Sequence, residues 1–250
     1  MFENQKIVPR YSAYDTSALP GGKQIEEPVP RSSRPWQDTI GFSLPPKEVL
    51  DSLIDRFFTS VNWFMMVTLL ALNTAAYLIP CQVFHEEHFR RRYENLITSK
   101  QGVAPADNNF LWLALLAVGL GAHYSSSGES IGQEESSLQQ LSETLLTQVE
   151  NRFCRIIGSP NVEAVQICIL LGSFHLFNGR PTAGLGILGS GAKIAQIIGL
   201  HRESMWRGLS DINRELRRRS WWALEIFDKY VQPRFIPFVV ASHSPTTDHG

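Results

Sequence analysis

Ser159-Pro160-Asn161-Val162-Glu163-Ala164-Val165-Gln166-Ile167-Cys168-Ile169-Leu170-Leu171-Gly172-Ser173-Phe174-His175-Leu176-Phe177 is the stretch whose reading decides the fold class. Ser159 predicts an N-cap and Pro160 a first helical position, where a missing N–H costs nothing. Val165, Ile167, Ile169, Leu170, Leu171 and Phe174 then put apolar side chains on nearly every side of a helix, which predicts a buried central element. Asn178-Gly179-Arg180-Pro181 reads as a turn. Thr182 to Ile198 reads as the next helix, closed by Gly199.

The helical pattern continues in both directions. Leu44-Pro45-Pro46 suits a helix start, and Val49, Leu50, Leu53, Ile54, Phe57, Val61 and Phe64 follow at spacings of three and four. Phe110 to Tyr124 is helical by length and by its Leu and Ala content. After a Ser/Gly loop from Ser125 to Ser137, Leu138, Leu141, Leu145, Val149, Phe153 and Ile156 mark a further amphipathic helix ended by Gly158. Ser210-Asp211 caps a last helix with Ile212, Leu216, Ala223, Ile226, Phe227 and Tyr230 facing inward, stopped by Pro233. Trp222 is taken as a core anchor of that helix, whose truncation to alanine would cost roughly 3–5 kcal/mol. No segment alternates as a strand does, so the expected class is all-α, a multi-helix bundle. Residues 1–41, with Pro20-Gly21-Gly22, Pro28, Pro30 and Pro35, read as a disordered leader. Residues 42–230 read as the helical domain and 231–250 as a disordered tail.

Composition narrows the function. The 250 residues are 43% hydrophobic and 19% charged, with a formal net charge of −1. That supplies no global basic field for a nucleic acid backbone. Cys81, Cys154 and Cys168 are odd in number and far apart, giving neither a disulfide framework nor a zinc motif. Met1 to Arg10 is polar and is no secretory signal. Gly184, Gly186 and Gly189 match the dinucleotide fingerprint G-x-G-x-x-G, but no strand precedes them and they fall inside a helical pattern with Leu185, Leu188, Ala192 and Ala195. Close helix packing is the favoured reading, and a nucleotide-binding enzyme using these glycines is the alternative. Lys193 follows Ala192 and starts no phosphate loop. His85 and His88 share a helix face, without the metalloprotease spacing or a third ligand, so a solvated helix start is expected. Arg217-Arg218-Arg219 point roughly 100° apart and form no single surface, while Glu215, Glu225 and Asp228 are available as partners. Met65 to Pro80 is apolar but shorter than the ~20 residues of a membrane span. A small membrane-associated protein using 65–80 is the second alternative. No catalytic constellation, metal site or cofactor site is identified.

Two blocks carry a resemblance. Ala192-Lys193-Ile194-Ala195-Gln196-Ile197-Ile198-Gly199-Leu200-His201-Arg202 is followed by Glu215-Leu216-Arg217-Arg218-Arg219-Ser220-Trp221-Trp222-Ala223-Leu224-Glu225-Ile226-Phe227-Asp228. Together they resemble the signature of the fungal-specific transcription factor domain, the middle region of zinc binuclear cluster regulators. Leu44-Pro45-Pro46, Phe57-Phe58 and the run His85 to Tyr93 resemble the start of that family, so the likeness covers roughly 44 to 230. The resemblance implies an all-α regulatory domain, nuclear and non-enzymatic, that works through the transcription machinery or a regulatory protein or effector, for instance on a nearby gene cluster. It implies a structural part for Gly199, Leu200, His201, Arg202, Arg217, Arg218, Arg219, Trp221, Trp222 and Asp228. The family's zinc is expected only in the full-length proteins, because six clustered cysteine ligands do not occur here. No direct DNA binding is expected from this chain, and no membrane.

Two departures from the family pattern stand out. Val67 to Gln82 separates Asn62-Trp63-Phe64-Met65-Met66 from Val83-Phe84-His85, which join into a family-like sequence without it. After Asp228-Lys229-Tyr230, the family's further helix gives way to Val231-Gln232-Pro233. Both segments start with a codon class that begins GT, and the reading is retained intron sequence, a bundle incomplete at the C-terminus, and poor solubility.

Overall fold

The computed structural model describes residues 40–61, 83–99, 107–125 and 133–227. Among the described residues the chain forms eight α-helices and no strand, so the class is all-α. Helix α1 (Lys47–Arg56) continues as a π turn (Phe57–Val61). Then come α2 (Glu86–Thr98), α3 (Asn108–Ser125), α4 (Gln133–Asn151), the short α5 (Phe153–Ile157), α6 (Val162–Phe177), α7 (Pro181–Ile197) and α8 (Asp211–Ile226), with a 3₁₀ turn at Glu203–Met205 before the last. The leader except its last two residues, the 65–80 and 67–82 segments, Phe64, Asp228, Tyr230 and the 231–250 tail lie outside the described residues. Ile40, at the end of the expected leader, is buried.

Two helices without an exposed face organise the core. Every residue of α3 from Asn109 to Ala122 is buried, and so is α6 from Ala164 to Ser173. They pack on each other; α1 and α4 cover α3, while α7 and α8 cover α6. In α1 and its π turn the buried set is Leu50, Leu53, Ile54, Phe57, Phe58 and Val61. Val49 is 38% exposed instead of joining the stripe, because it falls a quarter-turn outside the face that meets α3.

The two ends flanking 62–82 meet. Phe57 and Phe58 pack edge-on against Phe84 at 5.8 and 6.4 Å, and Phe58 against Phe89 at 5.3 Å. Val61 and Val83 are both buried. The aromatic cluster therefore fixes the start of α2 against the end of α1.

A polar pin holds the opposite side of α3. Asn109 is 3% exposed. Its Nδ2 lies 2.8 Å from Ser159 O, 3.0 Å from Asn161 Oδ1 and 3.3 Å from Ile156 O. Asn161 then caps α6, its Oδ1 accepting the Ala164 N–H at 2.8 Å. The cap is Asn161 rather than the expected Ser159, because the Asn109 amide holds the Asn161 side chain in place and ties up the Ser159 carbonyl. The single helix expected up to Ile156 is broken at Arg152, and α4 begins at Gln133, inside the expected loop.

Helix α7 approaches α6 almost backbone to backbone. A Cβ on Gly184 would stand 2.7 Å from Gly172 O, and one on Gly191 would stand 2.7 Å from Cys168 Cβ. Gly184, Leu188 and Gly191 thus form the face turned to α6. Gly186 and Gly189 face open space. All three fingerprint glycines lie inside α7, with no strand before them among the described residues, so the helix offers no dinucleotide loop. Replacing Gly184 with Ala should destabilise the protein by about 2 kcal/mol through overpacking. Gly186→Ala and Gly189→Ala should each stabilise it by roughly 0.5–1 kcal/mol through helix propensity. Thermal melts of the three variants check this ordering.

Candidate functional site

The two blocks 192–202 and 215–227 come together where α7 ends and α8 begins. Helix α7 leaves unpaired carbonyls at its C-terminus, and the chain answers with Gly199 at φ +72°. The Leu200 N–H reaches Ala195 O at 2.8 Å and the Gly199 N–H reaches Gln196 O at 3.2 Å. This is the Schellman arrangement, which needs a left-handed residue and therefore favours glycine. Leu200 turns into the core. The Arg202 N–H returns to Gly199 O at 3.2 Å. Trp206 is 6% exposed and donates its indole N–H to the same carbonyl at 2.9 Å.

Helix α8 is capped by Ser210, whose Oγ accepts the Asn213 N–H. Its three arginines diverge: Arg218 and Arg219 share Glu215, and each of the three also reaches an acceptor of its own outside α8. Arg217 donates to Ile198 O at 3.2 Å, setting a cation on the negative end of α7. Arg218 pairs with Glu203 in the connection and with Glu215 Oε2 at 2.8 Å. Arg219 donates to Glu215 Oε1 at 2.7 Å and to Phe84 O at 3.0 Å, a residue 135 positions away. The Glu215 carboxyl is held below its ordinary range, first by the hydrogen bond from Arg219 and then by Arg218. His201 lies against Trp221, ring centroids 5.8 Å apart.

Trp222 departs from expectation. It is 54% exposed and is no core anchor. The buried face of α8 is set by Ser220, Ala223, Leu224 and Phe227, and Trp222 sits about 200° around the helix from Ser220. Of the expected inward residues, Ala223 and Phe227 are buried, while Ile212, Leu216 and Ile226 are half-buried. Trp206, in contrast, drew no notice in the sequence because it stands alone in a polar loop. Its one signal is that a large aromatic occurs where loop chemistry asks for none.

His85 and His88 begin α2. His85 is its N-cap, with Nδ1 accepting the His88 N–H at 3.4 Å. No group of metal-ligating side chains occurs among the described residues. Behind these histidines lies a cleft of about 300 Å³ between the first turns of α2, α6 and α8. Burial, then Arg92 and Arg91, pushes the His88 imidazole below its ordinary range. Arg92, over the Phe110 ring at 4.0 Å, bridges Glu163 and Asp107 at the rim.

The arrangement is a packed joint beside a cleft. The family model described as the fungal specific transcription factor domain matches residues 54–232, most of the chain. The chain belongs to that family. It is similar to transcription factor macR of Penicillium terrestre, 28% identical over 80% of this chain and 23% of the relative. It is 23% identical to the thiamine repressible genes regulatory protein thi1 of Schizosaccharomyces pombe, over 75% of this chain and 22% of the relative. It is 27% identical to transcription factor yanR of Aspergillus niger, over 72% of this chain and 22% of the relative. The chain thus spans about a quarter of the length of these relatives. No solved structure matches it.

For this member of the family, Trp206→Ala should cost about 3 kcal/mol or more, since it removes a large buried aromatic and a carbonyl's partner. Trp222→Ala should fall within about 0.5 kcal/mol of the parent. Chemical denaturation of both variants checks the reversal. The pH dependence has a definite sign. The Glu215 pKa is lowered by folding, so its stabilisation is present above the unfolded carboxylate pKa of about 4.3 and is lost as pH falls through the folded value. Melting temperatures of the parent and of Glu215→Gln should differ at pH 7 and converge in acid.

Proposed function

We propose that this chain is a regulatory domain of a fungal transcription regulator, nuclear and non-enzymatic, acting by contact with the transcription machinery or with a regulatory protein or effector. The observation that carries the reading is the family match from 54 to 232, from within α1 to beyond the end of α8. The names of the relatives, transcription factors and a regulatory protein, agree with it. The arginines at 217–219 suit this role better than a nucleic acid contact. Arg218 and Arg219 are paired with Glu203 and Glu215, and Arg217 faces the end of α7. Among the described residues, no helix is long and apolar enough to cross a membrane. The membrane alternative rests on 65–80, outside those residues. The nucleotide alternative loses its loop to the interior of α7.

Tethering tests the reading. Fused to an unrelated DNA-binding domain in a yeast reporter strain, the chain should change reporter expression several-fold relative to the DNA-binding domain alone. Purified alone, it should leave no salt-sensitive footprint on DNA, since its formal net charge is −1 and its cysteines form no zinc cluster motif. Reporter expression equal to that of the DNA-binding domain alone, or a defined footprint, contradicts the reading.

A further inference from the structure

We propose that Ser159 is a phosphorylation site, its hydroxyl taking a phosphoryl group from ATP in the active site of a proline-directed protein kinase. The inference goes beyond the regulatory reading and rests on the loop between α5 and α6.

Ser159 and Pro160 stand in that loop, and both are exposed. Asn161, not Ser159, caps α6. The Ser159 hydroxyl is thereby left without a hydrogen-bond partner among the described residues. Its backbone, in contrast, is held on both sides. The Ser159 N–H reaches Ile156 O at 3.2 Å, and the Ser159 carbonyl accepts Asn109 Nδ2 at 2.8 Å. A fixed backbone thus presents one uncommitted hydroxyl to solvent. Ser210, exposed in the later connection, has its hydroxyl engaged in capping α8. Pro160 bars the helical conformation at Ser159 and favours an extended one, and it brings no N–H of its own. An extended serine followed by a residue without an N–H is what a proline-directed kinase reads.

A phosphate carries a charge of about −1.5 to −2 at pH 7 and needs a counter-charge. Arg155 precedes Ser159 by four residues, about one helical turn, and is exposed. Arg152 donates to Gln148 and lies over the Trp112 ring at 4.3 Å. Burial, then the neighbouring Arg155, pushes the Arg152 guanidinium below its ordinary range. Among the described residues, neither arginine meets a carboxylate. The acids nearest the loop, Glu163 and Asp107, are both bridged to Arg92. The positive end of the 16-residue α6 begins two residues beyond Ser159. A phosphate on Ser159 therefore joins α5 to the start of α6 through Arg155 and Arg152.

The step balances without a further reactant. Ser159 Oγ forms the bond to the γ-phosphorus of ATP while the bond from that phosphorus to the β-phosphate oxygen breaks. ADP leaves with the electron pair, and the hydroxyl proton passes to the kinase's catalytic aspartate.

Incubation of the purified chain with ATP and a mitogen-activated protein kinase, a proline-directed enzyme, tests this. Mass spectrometry with fragmentation should place a phosphate on Ser159. The chain has one other Ser-Pro pair, Ser244-Pro245, which serves as an internal reference for kinase activity. Ser159→Ala should take no phosphate in this loop, and Pro160→Ala should take it at least tenfold more slowly. Both should keep the parent's circular dichroism, since the Asn161 cap and the Ser159 carbonyl are untouched. The phosphorylated chain should melt about 2–4 °C above the unmodified one, and Arg155→Gln should erase most of that rise. No phosphate on Ser159, Pro160→Ala labelled at the parent's rate, or no rise in melting temperature overturns the inference. A chain that shifts the tethered reporter yet takes no phosphate at Ser159 contradicts this site and leaves the regulatory reading standing. A chain phosphorylated at Ser159 that leaves the reporter unmoved does the reverse.

Discussion

The end of α7 has to be closed, and the chain from Gly199 through α8 is organised by that need. Four carbonyls at any helix C-terminus lack helical partners, and leaving such groups buried and unpaired costs about 1–3 kcal/mol each. Here Gly199 takes the left-handed conformation, and its carbonyl receives both the Arg202 N–H and the Trp206 indole. The Ile198 carbonyl receives Arg217 from the following helix. Because that last acceptor is met from α8, closing α7 also fixes where α8 lies. Arg219, two residues on, then reaches Phe84 and ties the joint to the aromatic cluster between α1 and α2.

That cluster and the glycine contact explain how a single core holds these helices. Helices α3 and α6 are apolar all round and cannot stand without neighbours on every side. Gly172, Gly184 and Gly191 let α7 approach α6 closely enough to cover one side. The glycines lower helix propensity, and the close contact offsets that loss. Cys168 lies at this contact, where burial pushes its thiol up to about 12 and makes it an inert packing group.

Local chemistry was legible in the sequence, and chemistry joining distant residues was not. The burial of α6 followed from apolar residues on every side, and the stop at Gly199 followed from a glycine after a helical period. The partners of Arg218 and Arg219 on Glu215 followed from spacings of three and four. The Asn161 cap was missed because its orientation depends on Asn109, some fifty residues away. Trp222 was misread because its size suggested burial, although the phase of Ser220, Ala223, Leu224 and Phe227 turns it outward. Trp206 has no neighbour in the sequence pattern and acquires meaning only from the carbonyl it meets. The cleft could not be read at all, since it exists only where three separate helix starts converge. The 65–80 and 67–82 segments lie outside the described residues, so their sequence reading stands as an expectation.

The central claim is that Arg217, Arg218 and Arg219 act as a joint, linking the α7 end, the connection and the start of α2. Hydrogen–deuterium exchange of Arg219→Gln against the parent tests it most directly, because the substitution removes one reach across 135 residues while leaving α8 intact. The account predicts faster exchange at 83–89 and in the connection 198–210, with α4 unchanged. Unchanged exchange at 83–89, or an equal rise in every helix, would contradict it.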